Sequence, residues 1–210
     1  MQKKLIIFDL DGVLFDTPKI TNDFFLHEFP TMTPKIMNEI LCGNFHEELR
    51  KFKLTNPRIT ETAEEKTARN AAYSEKKNNA PMYDGVRELL ERLHINRHVL
   101  TVNTSALAKN CLPLLERSGT AKFFDFVATK EVSESKVEKF KIICEKYSVT
   151  PQQTLFITDT LGDIREADAM HIPTIAVTWG AMSKAYLTRE PHANLIAVVD
   201  SAGQLSSLLI

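Results

Sequence analysis

Residues 5–17, LIIFDLDGVLFDT, decide the fold predicted for this chain. Residues 5–8 form an uninterrupted apolar run, and two acidic residues, Asp9 and Asp11, follow it at once with Gly12 behind them. A short apolar run between polar residues is typical of a strand that is covered on both faces, as in a parallel sheet. We therefore expect a buried strand at 5–8 that ends in a pair of carboxylates.

Similar apolar runs recur along the 210 residues and alternate with helical patterns. The further runs are residues 99–102, 154–157 and 174–177 and, more weakly, 195–199. Between them, residues 86–93 and 140–147 carry apolar side chains at helical spacing. This alternation predicts an α/β fold, a doubly wound parallel sheet with helices on both faces.

The stretch 17–81 breaks the alternation, because it has no strand-like run and its prolines cut it into helix-sized pieces. Pro34 can begin a helix with Thr33 as its N-cap, and residues 59–77 predict a long, largely solvated helix. The polar stretch 76–81 is expected to return the chain to the sheet. We therefore expect an inserted α-helical cap. The domain boundaries predicted on this basis are 1–16 and 82–210 for the α/β core and 17–81 for the cap.

The charge balance excludes a strongly basic or acidic surface, since 26 Lys and Arg against 27 Asp and Glu give a formal net charge of -1. Neither nucleic acid nor an anionic membrane is therefore expected as a partner. No apolar stretch approaches the roughly 18 residues of a membrane helix, and the N-terminal run is short for a signal peptide. The cysteines, Cys42, Cys111 and Cys144, form no CxxC pair and are expected to be free thiols in a cytoplasmic protein.

Polar side chains follow the predicted strands at the edge of the sheet where ligands bind. Asp9 and Asp11 follow the first strand, residues 103–105 (Asn-Thr-Ser) the second, and Asp159 and Asp163 the third. Carboxylates gathered at one edge raise one another's pKa unless a cation offsets their charge. Oxygen ligands without His or Cys favour Mg²⁺ over zinc. We therefore expect Mg²⁺ as a cofactor.

Position alone suggests roles for the first pair of carboxylates. Asp9, at the strand end, is placed as a nucleophile that can take a phosphoryl group. Asp11 lies beyond the strand and can act as general acid and then as base. Gly12 permits a tight turn that leaves neighbouring N–H groups free for phosphate oxygens. The alternative is an acidic turn that carries no chemistry.

Together with the later motifs, this stretch resembles the haloacid dehalogenase superfamily, in its phosphoglycolate phosphatase and β-phosphoglucomutase branch. The motifs are DLDGVLFDT at 9–17, a hydroxyl or amide residue after the second strand, a lysine on a later helix, and Asp159-x-x-x-Asp163. They extend to about Gly180, and the helical insert lies where this family carries its helical cap. The resemblance implies hydrolysis of a small-molecule phosphate ester through an aspartyl phosphate.

The resemblance also implies roles for the carboxylates. Asp9 matches the nucleophile and a Mg²⁺ ligand, and Asp11 matches the general acid/base, whose main-chain carbonyl also binds Mg²⁺. Because Asp11 can protonate an oxygen leaving group, ester hydrolysis is favoured over carbon–halogen cleavage. Asp159 would complete the metal site. Asp163 would interact with the metal ligands or with a metal-bound water without binding the metal itself, or it would only stabilise a helix N-terminus.

The residues that would hold the phosphate are a lysine, a strand-end side chain and main-chain N–H groups. Lys136, at the start of a predicted helix, matches the family's lysine and would neutralise the nucleophile and a phosphate oxygen. The family's Ser or Thr is replaced by Asn103, and a one-residue shift would restore Thr104. Either side chain can donate a hydrogen bond to phosphate. The main chain at Leu10 and Gly12 would add further contacts.

Two further features bear on stability and on the substrate. Residues 169–171, Ala-Met-His, stand where relatives commonly carry a glycine, and we expect this difference to affect packing only. Residues 50–53, Arg-Lys-Phe-Lys, could contact a second anionic group of the substrate, or they could form an ordinary solvated helix face.

We therefore predict a Mg²⁺-dependent phosphatase that hydrolyses a small phosphorylated metabolite, with Asp9 as nucleophile and Asp11 as general acid/base. A sugar phosphomutase of the same fold would carry the same residues. A receiver-type phospho-acceptor and a non-catalytic phosphate-binding protein are further alternatives, and the long helical insert argues against the receiver. The substrate and the oligomeric state stay open.

Overall fold

The computed structural model describes residues 4–210. Its sheet has six strands, all parallel, in the order β3-β2-β1-β4-β5-β6. The strands are β1 (Leu5–Phe8), β2 (Val99–Asn103), β3 (Phe126–Ala128), β4 (Thr154–Thr158), β5 (Thr174–Val177) and β6 (Leu195–Val199). The five predicted strands are all present. The edge strand β3 was not predicted, because it has three residues and two of them are only half-buried.

Helices surround the sheet and fill the long insert between β1 and β2. They are α1 (Pro18–Glu28), α2 (Pro34–Ile40), α3 (Phe45–Thr55), α4 (Ala63–Asn78), α5 (Val86–Ile95), α6 (Leu112–Arg117), α7 (Lys136–Lys146), α8 (Leu161–Asp168), α9 (Lys184–Leu187) and α10 (Ala202–Leu209).

The central strand β1 is covered on both faces, which confirms the doubly wound α/β fold. Ile6 and Phe8 pack against α5, α6 and α10, whereas Leu5 and Ile7 pack against α7 and α8. Complete burial of one such side chain stabilises the fold by about 1.5–3 kcal/mol. This two-sided burial explains why the strand is an unbroken apolar run rather than an alternating one.

The strand order reverses beside β1, and this reversal places the polar strand ends together. Phe8 is level with Val102 of β2 on one side and with Ile157 of β4 on the other. Residues just beyond these three strands therefore share one edge of the sheet. Such a reversal point is where open α/β sheets bind their ligands.

Helices α1 to α4 form a separate helical layer with its own apolar core. That core includes Phe25, Phe29, Met37, Ile40 and Leu49. Helix α2 begins as predicted, because the Thr33 hydroxyl accepts the Ile36 N–H at 3.2 Å.

Helix α4 differs from the helix predicted at 59–77 at both ends. A capping box between Thr62 and Glu65 starts it at Ala63, and it continues to Asn78 inside the stretch predicted to be a linker. Most of α4 is solvent-exposed, as expected, but Lys77 near its end is buried.

The two segments that join this layer to the sheet pair with each other. The Asp16 N–H donates to Pro81 O at 2.9 Å, and Phe15 forms an antiparallel bridge with Met82. This pairing lies at the predicted boundaries, 16/17 and 81/82, and the division into core and cap stays a prediction.

No helix within residues 4–210 combines the length and hydropathy needed to cross a bilayer. The three cysteines are buried and free, as expected. The cytoplasmic location stays a prediction.

Four core helices end in the same left-handed turn, and only one of these turns uses glycine. The residues with positive φ are Arg97 (60°) after α5, Gly119 (65°) after α6, Ser148 (52°) after α7 and His171 (55°) after α8. Each N–H bonds back to the helix, and so does the next N–H, as in a Schellman motif. The glycine missing at 169–171 therefore affects the backbone conformation, because His171 has to adopt positive φ. The expectation that its absence affects packing only is wrong.

We predict that His171→Gly raises the free energy of unfolding by about 0.5–1 kcal/mol, because glycine adopts positive φ without a Cβ penalty. The matched control is Gly119→Ala, whose new Cβ would meet no atom within 4 Å. This variant should lose a similar amount through the backbone alone. Urea unfolding measures both changes, and an unaltered or less stable His171→Gly protein would contradict the explanation.

Candidate active site

Asp9 lies directly after β1 and is held from both sides. Its N–H continues the sheet by donating to Ile157 O at 2.9 Å, and its Oδ1 accepts the Leu10 N–H at 2.8 Å and the Lys136 Nζ at 2.9 Å. Burial raises the pKa of Asp9 to about 7, although Lys136 opposes the shift, and Asp163 adds to it. The carboxylate is therefore fixed at the sheet edge in a site with excess negative charge.

Lys136 is the first residue of α7 and joins two of the carboxylates. Its Nζ lies 2.9 Å from Asp9 Oδ1 and 2.6 Å from Asp163 Oδ2, and its side chain is 2% exposed. Burial alone would lower the pKa of Lys136, but Asp163 and Asp9 raise it above its ordinary value. Lys130, Lys139 and Lys141 lie close to Lys136 in the sequence, and of these four lysines Lys136 is the one that the structure places against Asp9.

Asp159 and Asp163 approach the same point from β4 and α8. Asp159 Oδ2 accepts the Ala181 N–H at 2.6 Å, whereas its buried Oδ1 has no hydrogen-bond partner within residues 4–210. Burial, followed by the charge of Asp9, raises the pKa of Asp159 well above its ordinary value. Asp163 Oδ2 accepts bonds from Lys136 and from the Thr158 hydroxyl at 2.6 Å each. Asp163 is thus a direct partner of the lysine.

Asp11 points toward the segments that lead into and out of the helical layer. Its carboxylate accepts the Thr17 hydroxyl at 2.6 Å and the Lys77 ammonium at 3.0 Å. Lys77 is buried, and although burial lowers its pKa, the charge of Asp11 raises it above the ordinary value. Sequence analysis missed Lys77, because it lies among polar residues at the end of an otherwise solvated helix.

The predicted phosphate-binding positions are occupied by contacts within the protein. The Asn103 amide donates to Lys136 O at 3.1 Å, and the Thr104 hydroxyl accepts the Ala106 N–H at 3.0 Å. Both side chains are fully buried, and Ser105 and Ala106 line the cavity in their place. The choice between Asn103 and Thr104 stays open.

The main chain after β1 is also engaged. The Leu10 N–H donates to Asp9, and the Gly12 N–H donates to Phe15 O at 2.9 Å. Gly12 has φ 77°, and a Cβ there would overlap Asp159 Oδ2. Glycine is therefore required at position 12 by the close approach of Asp159 as well as by the turn.

A cavity of about 390 Å³ lies between the sheet edge and helices α1 to α4. Asp9, Lys136 and Asp159 lie on its sheet side, and Phe45 and Arg50 are among the residues on its helical side. The wall thus combines acidic and basic groups at the sheet edge with apolar side chains and a few basic ones on the helical side. This composition suits a ligand that has a charged group at the sheet edge.

The helical layer touches the core around this cavity. The Gly162 N–H donates to Leu41 O at 2.9 Å, and a Cβ at Gly162 would overlap Gly43 O. Arg50 pairs with Glu134 at 2.5 Å across the cavity rim. These contacts hold the helices against the sheet edge.

Comparison with known proteins places this fold and site in a family. Residues 6–177 match the haloacid dehalogenase-like hydrolases. The chain therefore belongs to this family, and the predicted family and enzyme class, a hydrolase, are confirmed.

Individual relatives differ in their named substrates. The chain is 29% identical over 195 residues to the pyrophosphatase PpaX of Oceanobacillus iheyensis, covering 89% of each chain. It is 27% identical to a phosphoglycolate phosphatase of Haemophilus influenzae, covering 99% of each. The structure of CbbY from Rhodobacter sphaeroides in complex with phosphate is 18% identical, with a TM-score of 0.76 over 97% of this chain and 96% of that one. The comparisons support phosphatase activity on phosphorylated compounds and name no common substrate.

We predict that the contribution of Asp9 to the stability of the metal-free protein falls as pH rises between 3.8 and about 7, the ordinary and the raised pKa of Asp9. In this range the folded state binds the Asp9 proton more tightly than the unfolded state does, so ionisation favours unfolding. In Asp9→Asn this contribution is absent, and the variant should gain stability relative to wild type as pH rises.

Thermal unfolding in EDTA across this pH range measures the difference between wild type and variant. Asp84→Asn, at an exposed position, is the control for the change of carboxylate to amide. A difference between wild type and Asp9→Asn that does not vary with pH would show that burial does not raise the pKa of Asp9.

Proposed function

We propose that the protein is a Mg²⁺-dependent phosphatase that hydrolyses a small phosphorylated metabolite through an aspartyl phosphate on Asp9. The observation that carries this proposal is the buried Asp9 carboxylate at the end of β1, with the Lys136 ammonium 2.9 Å away. A strand-end carboxylate beside a fixed cation can attack phosphorus, while the cation offsets charge on the phosphoryl oxygens.

Asp11 is the proposed general acid and base. It protonates the leaving oxygen as Asp9 attacks, and it then takes a proton from the water that hydrolyses the aspartyl phosphate. Its present partners, Thr17 and Lys77, belong to the two segments that join the helical layer to the core. The Asp11 carboxylate therefore has to turn from these partners toward Asp9 in order to act.

Asp9, Asp159 and the main-chain carbonyl of Asp11 would hold Mg²⁺. The fit rests on the unpartnered, buried Asp159 Oδ1 and on the burial that raises the pKa of both carboxyl groups. No three His, Cys, Asp or Glu side chains within the described range converge as a metal site, so carbonyl and phosphate oxygens must complete the set. A bound Mg²⁺ would supply electrostatic stabilisation of the transferring phosphoryl group.

Helices α1 to α4 are the proposed cap, which excludes water from the cavity once a substrate is seated. Their contacts with the core at Gly162 and Glu134 surround the site. Arg50, which is paired with Glu134, and Lys53 line the cavity on this side and are the proposed contacts for a second anionic group of the substrate.

Phosphate release from a panel of small phosphate esters and pyrophosphate, with Mg²⁺ or with EDTA, tests the proposal. We expect turnover that requires Mg²⁺ and is lost in Asp9→Asn, because the amide cannot accept the phosphoryl group. Release that persists in Asp9→Asn would exclude this nucleophile. Conversion of a sugar phosphate to its isomer without free phosphate would identify the phosphomutase instead.

We predict that Arg50→Ala raises KM about fivefold for a substrate with a second anionic group and leaves kcat unchanged, as expected for loss of an exposed ion pair of ~1 kcal/mol. Glu134→Gln is the matched variant, since it frees Arg50 from its partner. If Arg50 contacts substrate, Glu134→Gln does not raise KM. Equal effects of the two variants would show that Arg50 serves only to hold the cap against the core.

A further inference from the structure

A second lysine of α7 is buried beneath the loop that follows β2. Lys139 lies one helical turn after Lys136, has no exposed surface, and donates from Nζ to Thr104 O at 2.6 Å. Burial, together with the charge of Lys136, lowers the pKa of Lys139 to about 8, although Asp9 and Asp163 oppose this shift. A buried charge is costly unless it is paired and hydrogen-bonded, and the proposed mechanism gives Lys139 no role.

The group that Lys139 contacts belongs to a peptide unit on the cavity wall. In the Thr104–Ser105 peptide, which is trans, the C=O and the N–H point in opposite directions. Because Thr104 O is directed into the core at Lys139, the Ser105 N–H is directed away from it. Ser105 lines the cavity with Asp9 and Lys136, and its N–H finds no acceptor among residues 4–210.

The loop itself is held by contacts that do not involve Lys139. The Thr104 N–H donates to Ala128 O at 3.0 Å, and the Ala106 N–H donates to the Thr104 hydroxyl at 3.0 Å. From the cap, His46 Nε2 lies 3.1 Å from Ser105 O. The contribution of Lys139 is therefore its charge rather than the course of the backbone.

We propose that Lys139 is a positioning residue that polarises the Thr104–Ser105 peptide, so that the Ser105 N–H donates more strongly to a phosphoryl oxygen. An ammonium on the carbonyl oxygen draws electron density from the peptide and makes its N–H a stronger donor. Lys136 acts on the phosphate directly, whereas Lys139 acts on it through one peptide unit. This inference rests on the proposed phosphatase function.

Three variants separate this role from packing. Lys139→Met fills a similar volume without charge, and Lys139→Gln keeps an N–H donor without charge. Lys141→Met removes an exposed lysine of the same helix and is the control. We expect both Lys139 variants to lower kcat about ten- to hundredfold, as for a weakened oxyanion donor. They should weaken inhibition by orthovanadate, a phosphate analogue, by a similar factor, and Lys141→Met should change neither.

Thermal melting decides whether a loss of activity reflects unfolding, and Lys139→Gln carries the test if Lys139→Met does not fold. Orthovanadate inhibition within twofold of wild type in a folded Lys139 variant would overturn the inference. A wild-type protein that releases no phosphate from any ester contradicts the proposed function instead. In that case calorimetric binding of inorganic phosphate to wild type and to Lys139→Gln still tests Lys139, and equal affinities would overturn its role.

Discussion

The Lys136 ammonium between Asp9 and Asp163 is the interaction on which the site depends. The fold brings carboxylates from β1, β4 and α8 to one edge of the sheet, where burial makes their mutual repulsion expensive. One buried cation, 2.9 Å from Asp9 and 2.6 Å from Asp163, offsets part of that charge. Burial first, and then the charge of the neighbouring carboxylates, still raises the pKa of Asp9 and of Asp159. The proposed Mg²⁺ would offset the remaining negative charge, which would otherwise repel an anionic phosphoryl group.

The helical insert is connected to this charge cluster through Asp11. The Asp11 carboxylate is held by Thr17 and Lys77, one on each connection between the sheet and the insert. Movement of the insert would therefore change the partners of the proposed general acid. The two contacts of Asp11 can thus link closure of the proposed cap over a substrate to the ability of Asp11 to donate a proton.

Local sequence patterns predict the parts of this molecule that local forces determine. The apolar run at 5–8 and the motif at 9–17 place Asp9 and Asp11, because a strand buried on both faces has a distinctive composition. The short edge strand β3 and the buried Lys77 and Lys139 were missed, since each depends on packing between distant segments. The positions of lysines in the sequence do not show which ammonium group is buried, because its partner comes from a distant segment of the fold. The left-handed turn at His171 was also missed, because the glycine that relatives carry there did not by itself reveal the positive φ of the backbone.

Trapping of the covalent intermediate tests the central claim, that Asp9 takes the phosphoryl group, most directly. Wild-type protein is mixed with Mg²⁺ and a phosphate ester that it hydrolyses. The reaction is quenched during turnover, reduced with borohydride, and digested for mass spectrometry. An aspartyl phosphate is reduced to homoserine, so the account predicts homoserine at position 9 only when substrate is present. Turnover without modification at position 9, or with homoserine at another aspartate, would contradict the account.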